Sequence, residues 1–118
     1  MQLHMLKAKL HRATVTETKL DYHGSITIDA DLLKAAGILP YEKVEIANLN
    51  NGSRFATYTI VGKAGSGVIG INGASARLCA PGDKIIVLCF ATMDEEEAKK
   101  IKPVVLVMDE KNRVAEKH

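Results

Sequence analysis

The chain has 118 residues, of which 47% are hydrophobic and 25% charged, and its formal net charge is +2 at pH 7. That length supports one domain around one core and excludes two, while the near-neutral charge gives no electrostatic basis for binding nucleic acid or an anionic membrane. A chain this small cannot wall a deep catalytic cleft alone, so an active site would have to lie between subunits.

No apolar run approaches the ~20 residues that span a bilayer. The N-terminal MQLHMLKAKLHR interleaves Lys, His and Arg with its apolar residues, unlike the apolar region of a signal peptide. Cys79 and Cys89 form no CxxC or Cys/His cluster and read as buried thiols of a cytoplasmic protein.

Residues 3–18 read as one long or two short strands ending in the alternating TVTET. Asp29 is placed to cap a short helix over Ala30–Ala36, with Leu32 and Leu33 inward and Gly37 as its stop. Pro40-Tyr41 turns the chain into a strand, KVEIANL, and Asn51-Gly52 is a strong signal for a tight hairpin into SRFATYTIVG. Ser66-Gly67 marks another turn before VIGIN, followed by a helical turn over Ala74–Leu78. Pro81-Gly82-Asp83 precedes the apolar strand KIIVLCFA. MDEEEAKKIK predicts one or two helical turns with acids first and lysines last, as the helix dipole favours. PVVLVMDE is the final predicted strand, and the polar tail KNRVAEKH is expected to fray. About seven short strands with little helix predict a mainly β fold, a small β-barrel.

Metal and triad chemistry find no support in the pattern. His4, His11, His23 and His118 lack zinc-site spacing, and no G-x-S-x-G or Walker pattern occurs. GKAGSGVIG at 62–70 is glycine-rich but runs into no Lys-Ser/Thr helix, so it reads as a hairpin turn. DEEE at 94–97 reads as a solvated helix face.

Gly24-Ser25 alone is an ordinary turn dipeptide. It can carry chemistry if the Ser25 hydroxyl reaches the Gly24 carbonyl carbon and converts the amide into an ester through an oxyanion that needs a donor. Glycine at 24 would suit a strained, closely approached turn. Its company raises the dipeptide above the ordinary. YHGSITID at 22–29, NNGSRFATYTI at 50–60 and INGASARL at 71–78 occur with KLHR at 9–12, AAGI at 35–38, PGD at 81–83 and FATMDEEEA at 90–98. In this order and spacing they resemble the aspartate 1-decarboxylase family of pyruvoyl enzymes, which make β-alanine for pantothenate synthesis.

The resemblance implies a double-psi β-barrel with short helices. It implies a single domain, 1–118, that cleaves itself into 1–24 and 25–118. Ser25 is then the precursor of a covalent pyruvoyl group that forms a Schiff base with L-aspartate, with neither metal nor pyridoxal phosphate. By the same resemblance Tyr58 is the proton donor, and Thr57 and Asn72 assist cleavage beside Gly24. Arg54 binds a substrate carboxylate, a task for which guanidinium geometry suits. Thr57, Gly73, Ala74 and Ser75 contact substrate, and Lys9 assists. His11 shares the Lys9 face of its strand and is a supporting candidate. Thr57 and Tyr58, being adjacent on a strand, should face opposite ways, reconciled by a bulge or by a site reached from both faces. The expected partners are L-aspartate and further copies of the chain in a homotetramer, with the need for a maturation factor left open. The sequence departs from many members in having Ser75 rather than Ala, and Ala47 where some carry Trp.

One rival reading rests on SITIDADLLKAAGILPYEKVEI, which has the rhythm of swapped-hairpin DNA-binding regulators of the AbrB type. Asp29, Asp31, Glu42 and Glu45 within it oppose a basic face, and the likeness stops at residue 46.

Overall fold

The structure, a computed structural model, describes all residues from Met1 to His118. Nine strands form one sheet: β1 (Leu3–Thr14), β2 (Glu17–Lys19), β3 (Ser25–Asp29), β4 (Lys43–Asn48), β5 (Arg54–Gly62), β6 (Ile69–Asn72), β7 (Lys84–Met93), β8 (Val104–Met108) and β9 (Val114–Lys117). Two short helices, α1 (Ala30–Ala36) and α2 (Glu95–Ala98), and a 3-10 helix over Gly73–Leu78 complete the chain. The fold is mainly β, as expected, and a small double-psi β-barrel fits it. The strand order is β2-β6-β3-β5-β4-β7-β1-β8-β9, and the two end strands do not pair to close the ring.

Alternation builds the core. Ala8 and Leu10, Ile26 and Ile28, Val44 and Ile46, Ile69 and Ile71, and Ile85 and Val87 recur every second residue and are fully buried or nearly so. Cys79 and Cys89 are buried free thiols. Burial, with Glu42 beside it, pushes the Cys89 thiol up to about 12, so it stays protonated at neutral pH.

Helix α1 forms where its caps predicted it. Asp29 accepts from the Asp31 amide at 2.8 Å. At the other end Gly37 takes φ 72°, and the amides of Gly37 and Ile38 bond the carbonyls of Lys34 and Leu33. Burial of Leu32, Leu33 and Ala36 then docks the helix.

Three expectations are corrected. The Asn51-Gly52 hairpin exists, but its loop spans residues 49–53 rather than two residues, and Asn51 does not take the positive φ that a tight type I′ turn requires. Side chains stabilise the wider loop instead: Asn48 Oδ1 accepts from the Asn50 amide at 2.8 Å and Asn51 Oδ1 from the Ser53 amide at 2.9 Å. The stretch 62–70 is not a hairpin turn, because β5 and β6 are not neighbours; they lie on opposite sides of β3, and residues 63–68 cross over it. The C-terminal tail is not frayed, since Val114–Lys117 pairs antiparallel with β8. Polarity there reflects an edge strand exposed at every residue.

The crossover is anchored by a buried acid. Asp29 accepts from the amides of Asp31, Gly65 and Gly67 at 2.8, 3.1 and 2.8 Å. Burial alone would raise its pKa, but those amides, with Arg113 nearby, together hold it below the ordinary carboxylate value. A carboxyl depressed by folding stabilises the native state above its unfolded pKa of about 3.9, and that contribution is lost as pH falls through the folded value. Asp29→Asn should therefore be less stable than wild type by about 1–3 kcal/mol near neutrality, with the gap closing below about pH 3.9. Urea unfolding across that range checks this; a gap independent of pH would contradict it.

Candidate active site around Ser25

Strand β3 opens at Ser25 and alternates, with Ile26 and Ile28 in the core and Ser25 and Thr27 on the opposite face. Antiparallel pairing with β6 sets Ser25 opposite Asn72. Their side chains therefore meet: Asn72 Nδ2 donates to Ser25 Oγ at 2.9 Å and to Thr27 Oγ1 at 3.0 Å. Ser25 and Asn72 are each 1% exposed. The Ser25 hydroxyl donates to the His23 carbonyl at 3.4 Å. Both amide hydrogens of Asn72 are thus directed at hydroxyls rather than at the Gly24 carbonyl.

Thr27 was not singled out from sequence, although its position two residues after Ser25 on a strand places it on the same face. Tyr22 was also missed. Its ring lies under Lys19 Nζ, 5.6 Å from the centroid. With Glu17, Lys19, Thr27, Ile60 and Asn72 it lines an open groove of ≈ 440 Å³.

Glycine plays a different part from the one expected. Gly24 has no positive φ, and a Cβ built there would meet nothing within 4 Å. The close approach belongs to Gly73, which takes φ +74°. A Cβ there would lie 2.7 Å from Gly24 Cα, 2.8 Å from Gly24 N and 3.0 Å from the Tyr22 carbonyl. The backbone at the β6 exit is therefore pressed against the segment that leads into Ser25. Ala74 and Ser75 follow on the 3-10 helix, exposed and half-buried respectively.

Parallel pairing of β3 with β5 matches Ile26 to Thr59. Tyr58 and Thr57, the two residues before Thr59, therefore lie alongside the Gly24–Ser25 end of β3. They face opposite ways, as expected, and the β4–β5 register runs without a shift past both. The bulge raised as one way of reconciling them is absent. Tyr58 is 39% exposed. Lys43 stands directly across the strand pair from it.

The cationic candidates do not converge on Ser25 within one chain. Arg54 shares the Tyr58 face of β5 but lies four residues away, about 13 Å along the strand. Across the sheet, Arg54 pairs with Ala47, Ala47 with Ile86, and Ile86 with His11. Ala56, Glu45, Leu88 and Lys9 form the next row. Lys9 and His11 are thus three strand spacings, about 14 Å, from β5. His11 Nδ1 is buried without a hydrogen-bond partner. Desolvation, then the charges of Lys9 and Arg12, lower its pKa, so the ring is neutral at physiological pH.

The structure brings no three His, Cys, Asp or Glu side chains together as a metal site. No helix is long and apolar enough to cross a membrane. What the site does hold is a buried serine hydroxyl with an amide donor on it, beside a glycine with open space where a side chain would point, and a phenol on the adjacent strand.

The family model described as aspartate decarboxylase matches residues 1–115. The chain is 58% identical to an aspartate 1-decarboxylase of Carboxydothermus hydrogenoformans over 97% of this chain and 90% of the relative. It is 58% identical to that of Thermoanaerobacter pseudethanolicus over 96% and 97%, and 57% identical to that of Clostridium beijerinckii over 98% and 94%. With its sequence matched to that family along nearly its whole length, the chain belongs to the aspartate decarboxylase family and is a decarboxylase.

Proposed function

We propose that the chain removes the 1-carboxylate of L-aspartate as carbon dioxide, releasing β-alanine for pantothenate synthesis in the cytoplasm, and that it first cleaves itself at Gly24-Ser25. The observation that carries this reading is the Asn72–Ser25 hydrogen bond next to Gly24, in a chain similar throughout to aspartate 1-decarboxylases.

The cleavage chemistry follows from the atoms at that bond. Ser25 Oγ adds to the Gly24 carbonyl carbon, and the C–N bond breaks, leaving an ester and a free amine on residue 25. Loss of the Ser25 α-proton and departure of the Gly24 carboxylate then leave a double bond between Cα and Cβ. Tautomerisation and addition of water release ammonia and leave a ketone, a pyruvoyl group, at the start of 25–118. Gly24 presents no side chain to impede the attack. Asn72 is the nearest amide donor, and releasing the Ser25 hydroxyl would free one hydrogen for the oxyanion. Thr57, alongside Gly24, is the proposed second helper.

The residues at 25 fit such a group: its position is buried, polar-lined and clear of metal ligands. When present, the ketone would supply an electron sink for decarboxylation. Tyr58, a phenol with a proton to give, would then deliver that proton to the product carbon. Arg54, with Lys9 assisting, would hold substrate carboxylate, Gly73, Ala74 and Ser75 would line the substrate, and His11 would support Lys9. Arg54 lies at the start of β5, four residues from Tyr58, and Lys9 lies three strands from β5, so these cations are proposed to reach Ser25 from a neighbouring copy. A homotetramer with sites between subunits meets that requirement.

Intact-mass measurement under denaturing conditions should resolve Met1–Gly24 and Ser25–His118, the larger lighter by one ammonia than its serine form. A chain that stays whole on warming would defeat the proposal. Ser25→Ala should remain whole and inactive. Tyr58→Phe should still be cut but lose about 10²–10⁴-fold in kcat, read by β-alanine release; unchanged turnover would remove Tyr58 from the chemistry. Arg54→Ala should mainly raise KM for aspartate, by about 10²-fold, corresponding to loss of a charged hydrogen-bonded pair. Initial rates across substrate concentration separate KM from kcat.

A further inference from the structure

The turn between β8 and β9 is built around Asn112, which is 1% exposed and takes φ 57°. Every polar atom of its side chain is engaged. Oδ1 accepts from the Thr14 amide at 2.7 Å, and Nδ2 donates to the Thr14 and Gly67 carbonyls, each at 2.8 Å. The same turn reaches the crossover twice more. Arg113 Nη2 donates to the Gly65 carbonyl at 2.9 Å. Gly67, at φ +73°, leaves only 2.7 Å between an imagined Cβ and the Lys111 carbonyl.

Gly67 is therefore held from both sides. Its amide donates to Asp29 Oδ2 at 2.8 Å, at the end of β3, and its carbonyl accepts from Asn112. Directly after it, the Val68 carbonyl accepts from the Asp29 amide at 3.0 Å. From there the ladder runs Ile28–Ile69, Thr27–Gly70, Ile26–Ile71 and Ser25–Asn72. One end of this ladder is the Asp29–Gly67–Asn112 anchor and the other is the Ser25–Asn72 hydrogen bond. A slip of one residue at the anchor would turn Asn72 to the opposite face.

We infer that Asn112 is a positioning residue for self-cleavage: it fixes the crossover, and through it the register that sets Asn72 on Ser25. The inference rests on the proposed cleavage at Gly24-Ser25. Asn112 also bridges what would become two chains, since Thr14 lies in 1–24 while Gly67 and Asn112 lie in 25–118. The strut is built from buried, mutually satisfied hydrogen bonds, so removing its centre leaves the Thr14 and Gly67 backbone groups without partners.

Two variants probe it. Asn112→Gly keeps access to the left-handed backbone and removes the side chain. Asn112→Asp keeps the acceptor for the Thr14 amide and deletes the donor to the Thr14 and Gly67 carbonyls. Val87→Ala, a core truncation on β7, serves as a destabilised control away from the strut. Freshly purified full-length chains are warmed and the uncut fraction is followed by gel and mass. Both Asn112 variants should convert roughly tenfold more slowly than wild type, while Val87→Ala converts at the wild-type rate despite its lower Tm. Wild-type rates in both Asn112 variants, or equal slowing in Val87→Ala, would overturn the inference. A wild-type chain that never converts would defeat the cleavage reading instead. In that case amide exchange in uncut Ser25→Ala chains decides the strut. Adding Asn112→Gly should speed exchange at Ile69–Asn72 by roughly tenfold, beyond any effect of Val87→Ala; unchanged exchange there would sink it.

Discussion

Strand β3 lies between β5 and β6, and each proximity around Ser25 descends from that placement. The antiparallel neighbour supplies Asn72 directly opposite Ser25, and the parallel neighbour carries Thr57 and Tyr58 past the same end. Neither strand could be exchanged for a sequence neighbour, because a hairpin would pair β5 with β6 and leave Ser25 outside. The crossover at 63–68 is thus the topological condition for the site. It is held by a carboxylate, Asp29, whose ionised form is the one that accepts three backbone amides.

Local chemistry was legible in the sequence; strand order was not. The α1 caps at Asp29 and Gly37 act within a few residues, so reading them required no knowledge of the rest of the chain. The crossover was misread as a hairpin because Ala64–Gly67 carries the same turn residues in either topology, and which strand lies beside which is decided elsewhere. The tail was misread for a related reason. Val114–Lys117 has the polarity of a frayed end, and its pairing comes from β8 and from the Asn112 turn, neither visible in its composition. Gly24 and Gly73 were both marked by motif, but only coordinates separate the glycine in open space from the one pressed against a neighbour. The site residues nearest Ser25 were reached through family resemblance, whereas Thr27 was overlooked although strand alternation alone would have put it on the Ser25 face.

One chain gathers some of the candidate residues and spreads the others apart. Ser25, Asn72, Thr57 and Tyr58 gather at one end of β3, while Arg54, Lys9 and His11 spread across β5, β4, β7 and β1. The spread rows share a sheet face with Ile86 and Leu88, both half-buried, and with Phe90, which is 38% exposed. That face combines apolar area with unpaired cations, a composition suited to burial against another protein surface rather than to open solvent. Its geometry accords with the limit set by chain length, since 118 residues form one small β domain and leave little material to enclose a ligand.

The Asn72–Ser25 hydrogen bond also bears on how readily cleavage could begin. Asn72 uses both amide hydrogens on hydroxyls, and Ser25 directs its own hydrogen at the His23 carbonyl, a group that cannot act as a base. No histidine or carboxylate lies within hydrogen-bond reach of Ser25 Oγ. In this arrangement the serine is held, not activated. For Asn72 to stabilise an oxyanion on Gly24 it must surrender one bond worth about 1 kcal/mol, in a site where unpaired polar groups cost more than that. Gly24 has open space on the side where a Cβ would point, and is closely approached by the Gly73 backbone on another. Movement of residues 22–24 into that open space would leave the β3–β6 ladder that holds Asn72 on Ser25 untouched.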